Sequence, residues 1–241
     1  MNAHTACERC DVRERALCNA LPSVEAQRVH RIAYRRVFQP GRVIGCGDQA
    51  PDWYAVIVSG VVKLVKSQAD GRQQIVALQF PADFIGRPFG KPDQLFAEAA
   101  TELELCCFAK PAFETLMREQ PDLEHALLQR TFDELEAARR WMFVLGRQSA
   151  QEKVASFLLL VMQRMNYVST PNPSGADVRF ELPLSRTEIG EYLGLTIETV
   201  SRQFRQLKLQ GIIETQGKRS VVVRDMARLQ HFAECVADGD L

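Results

Sequence analysis

Three cysteines lie close together near the start of the chain, in the segment CERCDVRERALC. Cys7, Cys10 and Cys18 have the spacing C-x2-C-x7-C, in which the first two cysteines can bind one metal centre from a single turn. Thiolates are soft ligands that suit iron–sulfur clusters and zinc. Because this N-terminal stretch lacks the apolar run of a signal peptide, we expect a cytoplasmic protein in which such spacing serves metal binding or redox chemistry rather than disulfides.

A cubane iron–sulfur cluster needs four ligands, so these three cysteines alone are an incomplete site. The chain has seven cysteines, and the other four are Cys46, Cys106, Cys107 and Cys235. Cys46 lies in a region of strand and turn and Cys235 on a predicted C-terminal helix, and both are predicted to be buried thiols. A structural zinc site built from the same sulfurs is one alternative, and a set of spare reactive thiols is another.

The stretch SRTEIGEYLGLTIETVSRQFRQLKL, residues 185–209, predicts two short helices joined by a tight turn. Ser185 and Glu188 have the spacing of a capping box, which begins the first helix. Gly194 is suited to end that helix in a left-handed conformation, and Thr196 is suited to cap the second helix. Two helices joined in this way form a helix-turn-helix.

The second of these helices places two kinds of residue on two faces. Successive residues of a helix are rotated by about 100°, which places Val200, Phe204 and Leu207 on one apolar face. This face is expected to pack against the rest of the domain. The opposite face is polar and carries Glu198, Ser201, Arg202 and Arg205. Arg202 can donate two hydrogen bonds to guanine and Glu198 can accept one from cytosine, which indicates reading of base edges in the major groove. The alternative is a surface helix with a solvated charged face.

A basic hairpin is predicted to follow this helix. In GIIETQGKRSVVVRD, two short apolar strands flank Gly217, Lys218 and Arg219, and the tip of such a wing would meet phosphates. From residue 196 to 224 six Lys or Arg residues stand against two Glu residues, although the formal net charge of the chain is zero. A local positive patch is what binding to double-stranded DNA requires. Thr196, Lys218 and Arg219 therefore join the four helix residues as predicted DNA contacts.

The rest of the chain must position these two groups of residues. Residues 36 to 109 alternate short β-branched and aromatic runs with turn signals such as Asp70-Gly71, which predicts an all-β block of antiparallel hairpins, large enough for a small barrel or jelly roll. The segment before it, VEAQRVHRIAYRR at residues 24–36, predicts a short helix. No apolar run is long enough to cross a membrane, so no membrane partner is predicted.

A long helix is predicted from Pro121 to about Gly146. Its stripe of small and apolar side chains recurs at coiled-coil spacing, which favours a homodimer seam over packing against the protein's own β-block. The predicted seam consists of Leu128, Leu135, Ala138, Met142 and Leu145, with Thr131 at an intermediate position. A second helix is predicted from Ser149 to Met165, after which the segment STPNPSG breaks the helical pattern.

The sequence YLGLTIETVSRQFRQLKLQGII resembles the DNA-binding motif of the CRP/FNR superfamily of bacterial transcription regulators, and its E-T-V-S-R form is similar to the FNR and FixK branch. The segment DFIGRPFG resembles the FnrN and FnrL group of that branch. The resemblance covers essentially the whole chain and implies an α+β fold. Its implied parts are a cysteine-rich cluster-binding segment (1–20), an antiparallel, jelly-roll-like β-roll of the cyclic-nucleotide-binding type (21–120), a dimerisation helix (121–147) and a winged helix-turn-helix domain (148–241).

The resemblance also implies a cofactor. In the family the fourth cluster ligand lies in the β-roll just before a segment like FETL, and Cys106 matches that position, with the adjacent Cys107 as a reserve. Cys7, Cys10, Cys18 and Cys106 would then bind a 4Fe-4S cluster at low oxygen and favour the dimer, and oxygen would degrade the cluster and weaken DNA binding. Within the family, the alternative is a site that holds structural zinc or responds to nitric oxide or redox state.

The implied partners are a second copy of the chain, DNA and RNA polymerase. The homodimer would bind a palindrome of the form TTGAT-N4-ATCAA through Glu198, Ser201 and Arg202, and the turn around Asp83 would contact RNA polymerase.

Two departures from family patterns affect the expected ligand and the expected dimerisation. The stretch PADFIGRPFGKPDQLFAEAA lacks the Gly-Glu and Arg-Ser elements that hold a cyclic phosphate in some relatives, so no cyclic nucleotide is predicted. Ala138 replaces a carboxylate whose repulsion keeps some metal-free relatives monomeric, so we expect dimerisation here to depend less strictly on the cluster.

A function of another class would be a cluster-bearing redox protein, which would have no use for a helix-turn-helix. The sequence shows no Gly-rich phosphate loop, no His-Glu-x-x-His pattern and no nucleophile paired with a base. We therefore predict that the protein is not an enzyme.

Overall fold

The computed structural model describes residues 10–21, 28–29, 31–45, 51–90, 95–165 and 177–233. These residues form two compact units that divide within one long helix. The first unit contains the described residues up to Gly71 together with Val76–Leu135, and the second contains Arg72–Ile75 together with those from Glu136 onward. No described helix is both long and apolar enough to span a membrane.

The first unit is built on two four-stranded sheets. Their strands are β1 (Ala33–Phe38), β2 (Val43–Gly45), β3 (Trp53–Ser59), β4 (Val62–Ser67), β5 (Gln73–Gln79), β6 (Phe84–Ile85), β7 (Phe96–Ala99) and β8 (Leu103–Ala109). The strand orders are β1-β8-β3-β6 in one sheet and β2-β7-β4-β5 in the other. Strand β8 pairs antiparallel with β1 on one side and with β3 on the other. The predicted antiparallel β-block and its end at Ala109 are confirmed.

The side chains of β8 point alternately into two hydrophobic clusters, as the period of a strand requires. Leu103, Leu105 and Cys107 belong to a cluster formed by residues of both sheets. Cys106 and Phe108 belong to a second cluster, on the other face of β8. That second cluster also contains side chains of the N-terminal segment and of the helices after β8, namely Val12, Ala16, Leu17, Phe113, Leu116, Met117 and Leu123. The cysteine segment therefore packs on the Cys106 face of the sheet.

The predicted helix over residues 24–36 is wrong in its last part. Residues 28–29 and 31–32 are helical, but Ala33 begins strand β1. The partner strand decides the outcome, because the register from Ala33 opposite Phe108 to Phe38 opposite Leu103 satisfies the backbone groups of this stretch. Local helix propensity is a weak preference that such tertiary pairing overrides.

Three helices follow the sheets: α1 (Lys110–Glu119), α2 (Pro121–Arg147) and α3 (Ala150–Arg164). The predicted long helix is confirmed as α2. The predicted second helix is confirmed as α3, which Ser149 caps as part of a capping box with Glu152. Most of the predicted seam lies at the surface of α2, since Leu128, Leu135 and Met142 are 51%, 45% and 72% exposed. Ala138 is also exposed, whereas Leu145 is half-buried.

The second unit contains β9 (Val178–Glu181), α4 (Arg186–Leu193), α5 (Ile197–Leu209), β10 (Ile213–Gln216), β11 (Ser220–Val223) and α6 (Met226–Phe232). The helices α4 and α5 form the predicted helix-turn-helix, and β10 and β11 form the predicted hairpin. Strand β9 was not predicted; it pairs antiparallel with β11 and completes a three-stranded sheet of order β10-β11-β9. The C-terminal helix is confirmed as α6, whereas Cys235 lies outside the described residues.

Local signals set the boundaries of α4 and α5. Ser185 and Glu188 form the predicted capping box, with the two side chains bonded to each other's backbone N–H groups. Gly194 ends α4 in the left-handed conformation at φ 63°, and Thr196 caps α5 by accepting from the Thr199 N–H. A Cβ at Gly190 would lie 2.6 Å from the Leu195 carbonyl oxygen, so this glycine permits the close approach of the turn to α4.

Candidate metal centre and nucleic-acid interface

A cavity in the first unit brings together three of the four predicted metal ligands. The thiols of Cys10, Cys18 and Cys106 line it. Its other walls are mainly apolar and consist of Val12, Ala16, Val29, Val56, Val58 and Phe108, together with Arg13. Cys7, the fourth predicted ligand, lies outside the described residues, as does Cys46.

The N-terminal segment reaches this cavity as a compact series of turns. The Arg13 N–H donates to the Cys10 carbonyl at 3.0 Å, and the Ala16 N–H donates to the Val12 carbonyl at 2.8 Å. A 3-10 helix, Leu17–Ala20, follows. Val12, Ala16 and Leu17 are buried, so the apolar side chains between the cysteines anchor the segment against the sheet.

The adjacent cysteines Cys106 and Cys107 lie in different environments. Cys106 lines the cavity, whereas Cys107 is 0% exposed within the cluster that both sheets share. Burial raises the pKa of the Cys107 thiol to about 12, although the Arg36 and Arg35 guanidinium groups act in the opposite direction. Metal binding requires the thiolate. The structure therefore places Cys106, and not Cys107, beside Cys10 and Cys18.

The cavity has the donor chemistry of a soft-metal site, because its polar groups include three sulfurs. Within the described part of the chain, no three Cys, His, Asp or Glu side chains are already grouped so as to hold a metal ion. The three thiols thus line one apolar cavity, but the described residues do not form a complete, preformed metal-binding site. This arrangement fits a group that bridges the N-terminal segment and β8.

The second unit presents the polar face of α5 to solvent. Val200, Phe204 and Leu207 are buried beneath the helix. The predicted base-reading and phosphate-contacting side chains on the helix are exposed, namely Glu198, Ser201, Arg202 and Arg205, and the cap residue Thr196 is exposed beside them. The structure thus brings these five predicted contacts to one surface.

Hydrogen bonds stabilise the ionised form of the Glu198 carboxyl. Its own backbone N–H and the Thr196 side chain hold the pKa of the Glu198 carboxyl below its ordinary value. The group is therefore ionised at neutral pH and can accept but not donate, which suits the amino group of cytosine. On the next turn, the Arg202 guanidinium lies 3.5 Å from the Thr199 hydroxyl.

The two basic residues of the wing differ in their contacts. Lys218 is exposed at the tip, next to Gly217, whose φ is 66°. The Arg219 guanidinium donates to the Pro183 carbonyl at 3.5 Å. Arg219 therefore also ties the hairpin to the loop that precedes α4, a structural role that the sequence did not indicate.

Arg186 is a structural residue of the helix-turn-helix that sequence analysis missed. Its guanidinium stacks over the Phe204 ring at 3.3 Å, and burial lowers its pKa to about 10. Among the described residues its buried Nη1 has no hydrogen-bond partner. The stack joins the first turn of α4 to α5, and its only sequence signal was an arginine directly after the Ser185 cap.

Both parts of the chain match family models. Residues 152–232 match the Crp-like helix-turn-helix domain, and residues 35–120 match the cyclic nucleotide-binding domain. The transcriptional activator protein FnrL of Cereibacter sphaeroides is 42% identical over 236 residues, which cover 98% of this chain and 94% of FnrL. This chain belongs to the CRP/FNR family of transcriptional regulators.

Other CRP/FNR regulators agree with this membership. The nitrogen fixation regulation protein FixK of Bradyrhizobium diazoefficiens is 36% identical over 86% of this chain and 85% of its own length. The solved structure of FixK2 from Bradyrhizobium japonicum has a TM-score of 0.73 and 33% identity, covering 83% of this chain and 97% of FixK2. The helix-turn-helix is thus a DNA-binding element, and the protein is a regulator rather than an enzyme. That the β-block binds no cyclic nucleotide remains a prediction.

Proposed function

We propose that this CRP/FNR regulator senses oxygen. In the proposal, Cys7, Cys10, Cys18 and Cys106 bind a 4Fe-4S cluster at low oxygen, and the loaded cytoplasmic protein dimerises and binds palindromes of the form TTGAT-N4-ATCAA to control anaerobic or microaerobic genes. The observation that carries the proposal is the convergence of Cys10, Cys18 and Cys106 on one cavity. When bound, a 4Fe-4S cluster supplies a group that oxygen can degrade.

The residues of the cavity would keep the site both closed and responsive. Cys10 and Cys18 would supply ligands from the N-terminal segment, and Cys106 would supply one from the sheet. The surrounding valines and Phe108 exclude water from the site. Binding at these sulfurs would join two parts of the fold that are far apart in sequence.

The contacts of α2 provide a route from this site to the dimer seam. Leu123 of α2 lies in the same hydrophobic cluster as Val12, Ala16 and Leu17, and Ala126 and Leu127 pack against that cluster. Leu128 follows directly and is exposed. A constraint on the cysteine segment therefore acts on the first turns of the helix that carries the seam. A hundredfold change in dimerisation requires only about 2.7 kcal/mol.

The dimer would present two copies of α5 to successive major grooves. Half-sites one helical turn apart are what a two-fold dimer of this motif requires. In each half-site, Arg202 would donate to a guanine, Glu198 would accept from a cytosine and Ser201 would contact a neighbouring base, while Arg205 and Lys218 would contact phosphates.

Activation of transcription would bring RNA polymerase to the turn around Asp83. The Asp83 carboxylate accepts a hydrogen bond from the Phe80 N–H at 2.8 Å, so this residue also shapes the turn. Two similar relatives carry the name of a transcriptional activator, which favours activation as the main output.

The test is the visible spectrum and the metal content of protein purified without oxygen. We expect a brown protein with a broad absorption band, close to four irons and four sulfides per chain, and bleaching in air together with loss of operator binding. A colourless protein that contains zinc would contradict the oxygen-sensing proposal and support structural zinc. A loaded protein that is stable in air but bleached by nitric oxide would contradict oxygen as the signal.

A further inference from the structure

Arg130 of α2 contacts two other parts of the first unit at the same time. Its Nη1 donates to the Ala82 carbonyl at 3.1 Å. Its Nη2 donates to the carbonyl of Arg15, which lies between Cys10 and Cys18. A guanidinium can serve two carbonyls in this way because it is planar, permanently charged and carries five N–H donors.

The two carbonyls belong to segments that are otherwise well fixed. The Ala82 N–H donates to the Ile57 carbonyl at 2.8 Å, and the residue has a positive φ of 81°, so its carbonyl is held by a tight turn against β3. The Arg15 carbonyl belongs to the turns that the buried Val12 and Ala16 anchor. Arg130 therefore joins α2 to the sheet and to the cysteine segment through hydrogen bonds to a charged donor, which are stronger than those between neutral groups.

The position of Arg130 on α2 determines what these bonds can control. At about 100° per residue, Arg130 points roughly 160° away from Leu128 and roughly 140° away from Leu135. Leu128 and Leu135, the first two residues of the predicted seam, thus lie on the side of the helix away from the bonded guanidinium. Holding α2 by Arg130 fixes its rotation about its own axis, and that rotation decides whether Leu128 and Leu135 face a second copy of the chain.

We infer that Arg130 is the positioning residue that transmits the state of the Cys10–Cys18 segment to the rotation of α2 and hence to dimerisation. The inference rests on the proposed function, since the state in question is the binding of a cluster by those cysteines. The two hydrogen bonds of Arg130 end on Ala82 and Arg15, which are neither predicted ligands nor members of the predicted seam, so its role differs from the roles of both.

The experiment compares wild type with Arg130→Gln and with the control Arg140→Gln. Arg140 also lies on α2, but it forms an ion pair with Glu136 of the same helix, at 3.8 Å. Sedimentation equilibrium under nitrogen gives the dimer dissociation constant of each variant with and without reconstituted cluster. The ratio of the two constants measures the coupling, and iron and sulfide per chain measure the loading.

We expect Arg130→Gln to bind as much iron and sulfide as wild type but to show a coupling ratio at least tenfold smaller. Arg140→Gln should keep the wild-type ratio. Arg130→Lys keeps the charge but offers a single ammonium group, so it should lose the coupling as well. A wild-type ratio in Arg130→Gln would overturn the inference, and a wild-type ratio in Arg130→Lys would overturn the bridging geometry on which it rests.

Hydrogen exchange of the metal-free proteins provides a second reading that does not depend on loading. We expect the amides of Arg15 and Ala16 to exchange at least tenfold faster in Arg130→Gln than in wild type or Arg140→Gln, because the turn loses its contact with α2. Equal exchange in all three would count against the inference. A wild-type protein that binds no iron, or whose dimerisation ignores the cluster, would instead overturn the proposed function and this coupling with it.

Discussion

Cys106 and Cys107 are neighbours in sequence but face opposite sides of β8. We predict that Cys106→Ser abolishes cluster binding, because it removes the one thiol of the sheet that lines the cavity. Cys107→Ser should keep full loading but lower the free energy of unfolding by about 1–3 kcal/mol, since it places a hydroxyl in a hydrophobic cluster.

Iron and sulfide analysis after anaerobic reconstitution, together with urea unfolding of the metal-free variants, checks this pair. Each variant is the control for the other, because both carry the same chemical change at adjacent positions. Full loading of Cys106→Ser with loss of loading in Cys107→Ser would show that the reserve ligand is the real one.

Arg202 and Lys218 are both exposed and basic, but we expect them to act differently on DNA. Arg202→Ala should weaken binding to the palindrome by about 1–3 kcal/mol and relax the preference at one base pair of each half-site, because a bidentate contact to guanine is lost. Lys218→Ala should weaken binding to all sequences about equally, because a phosphate contact carries no sequence information. Titration of labelled operators that carry single base changes measures both effects, and equal losses on every operator for Arg202→Ala would contradict base reading.

At the scale of the element, the helix-turn-helix could be predicted closely because each of its boundaries is set by a local interaction. The Ser185 capping box, the left-handed Gly194 and the Thr196 cap each involve residues no more than three positions apart or a single backbone conformation. The face of α5 likewise follows from helical geometry alone. Such signals are present in the sequence before any tertiary contact forms.

The features that could not be predicted depend on partners distant in sequence. Strand β1 forms because β8 pairs with it, and β9 forms because β11 offers an edge. The Arg219 contact to the Pro183 carbonyl and the Arg186 stack on Phe204 likewise join positions 36 and 18 residues apart. For the metal site, spacing indicated Cys7, Cys10 and Cys18 and the family resemblance favoured Cys106. The physical distinction between Cys106 and Cys107 comes from the two faces of β8.

An aromatic cluster joins three helices of the second unit. The Trp141 ring of α2 stacks on the Tyr192 ring of α4 with centroids 4.7 Å apart, and Phe157 of α3 meets Tyr192 edge-on at 5.9 Å. We predict that Trp141→Leu lowers the free energy of unfolding by about 1–2 kcal/mol, through the lost ring contact and the lost area. Phe143→Leu is the matched control on α2, since Phe143 is 48% exposed and should change stability by less than about 0.5 kcal/mol.

Urea unfolding at one protein concentration measures both changes, and the operator affinity of the folded variants shows what the cluster does for function. Because α4 is the first helix of the DNA-binding motif, Trp141→Leu should also weaken operator binding more than Phe143→Leu does. Equal effects of the two substitutions on stability would show that the stack contributes nothing beyond general burial.

At the scale of the whole molecule, α2 is the element that both units share. Its N-terminal turns pack with the cysteine segment, its middle carries the predicted seam and Trp141 near its end contacts the helix-turn-helix. The formal net charge of the whole chain is zero, so no long-range repulsion between copies opposes dimerisation. Local charges at the predicted seam are therefore expected to influence the balance between monomer and dimer.

Ala138 is the position of the predicted seam at which that balance can be tested. It is exposed on α2 between Leu135 and Met142 and carries no charge. We predict that the metal-free wild-type protein retains measurable dimerisation, and that Ala138→Asp weakens it by about 1–4 kcal/mol, because two carboxylates would face each other across the seam. Gln129→Asp adds the same charge at an exposed position of α2 beside the predicted seam and should change dimerisation little. Sedimentation equilibrium of the three metal-free proteins measures their dimer dissociation constants. A metal-free wild type as strictly monomeric as Ala138→Asp would show that dimerisation requires the cluster.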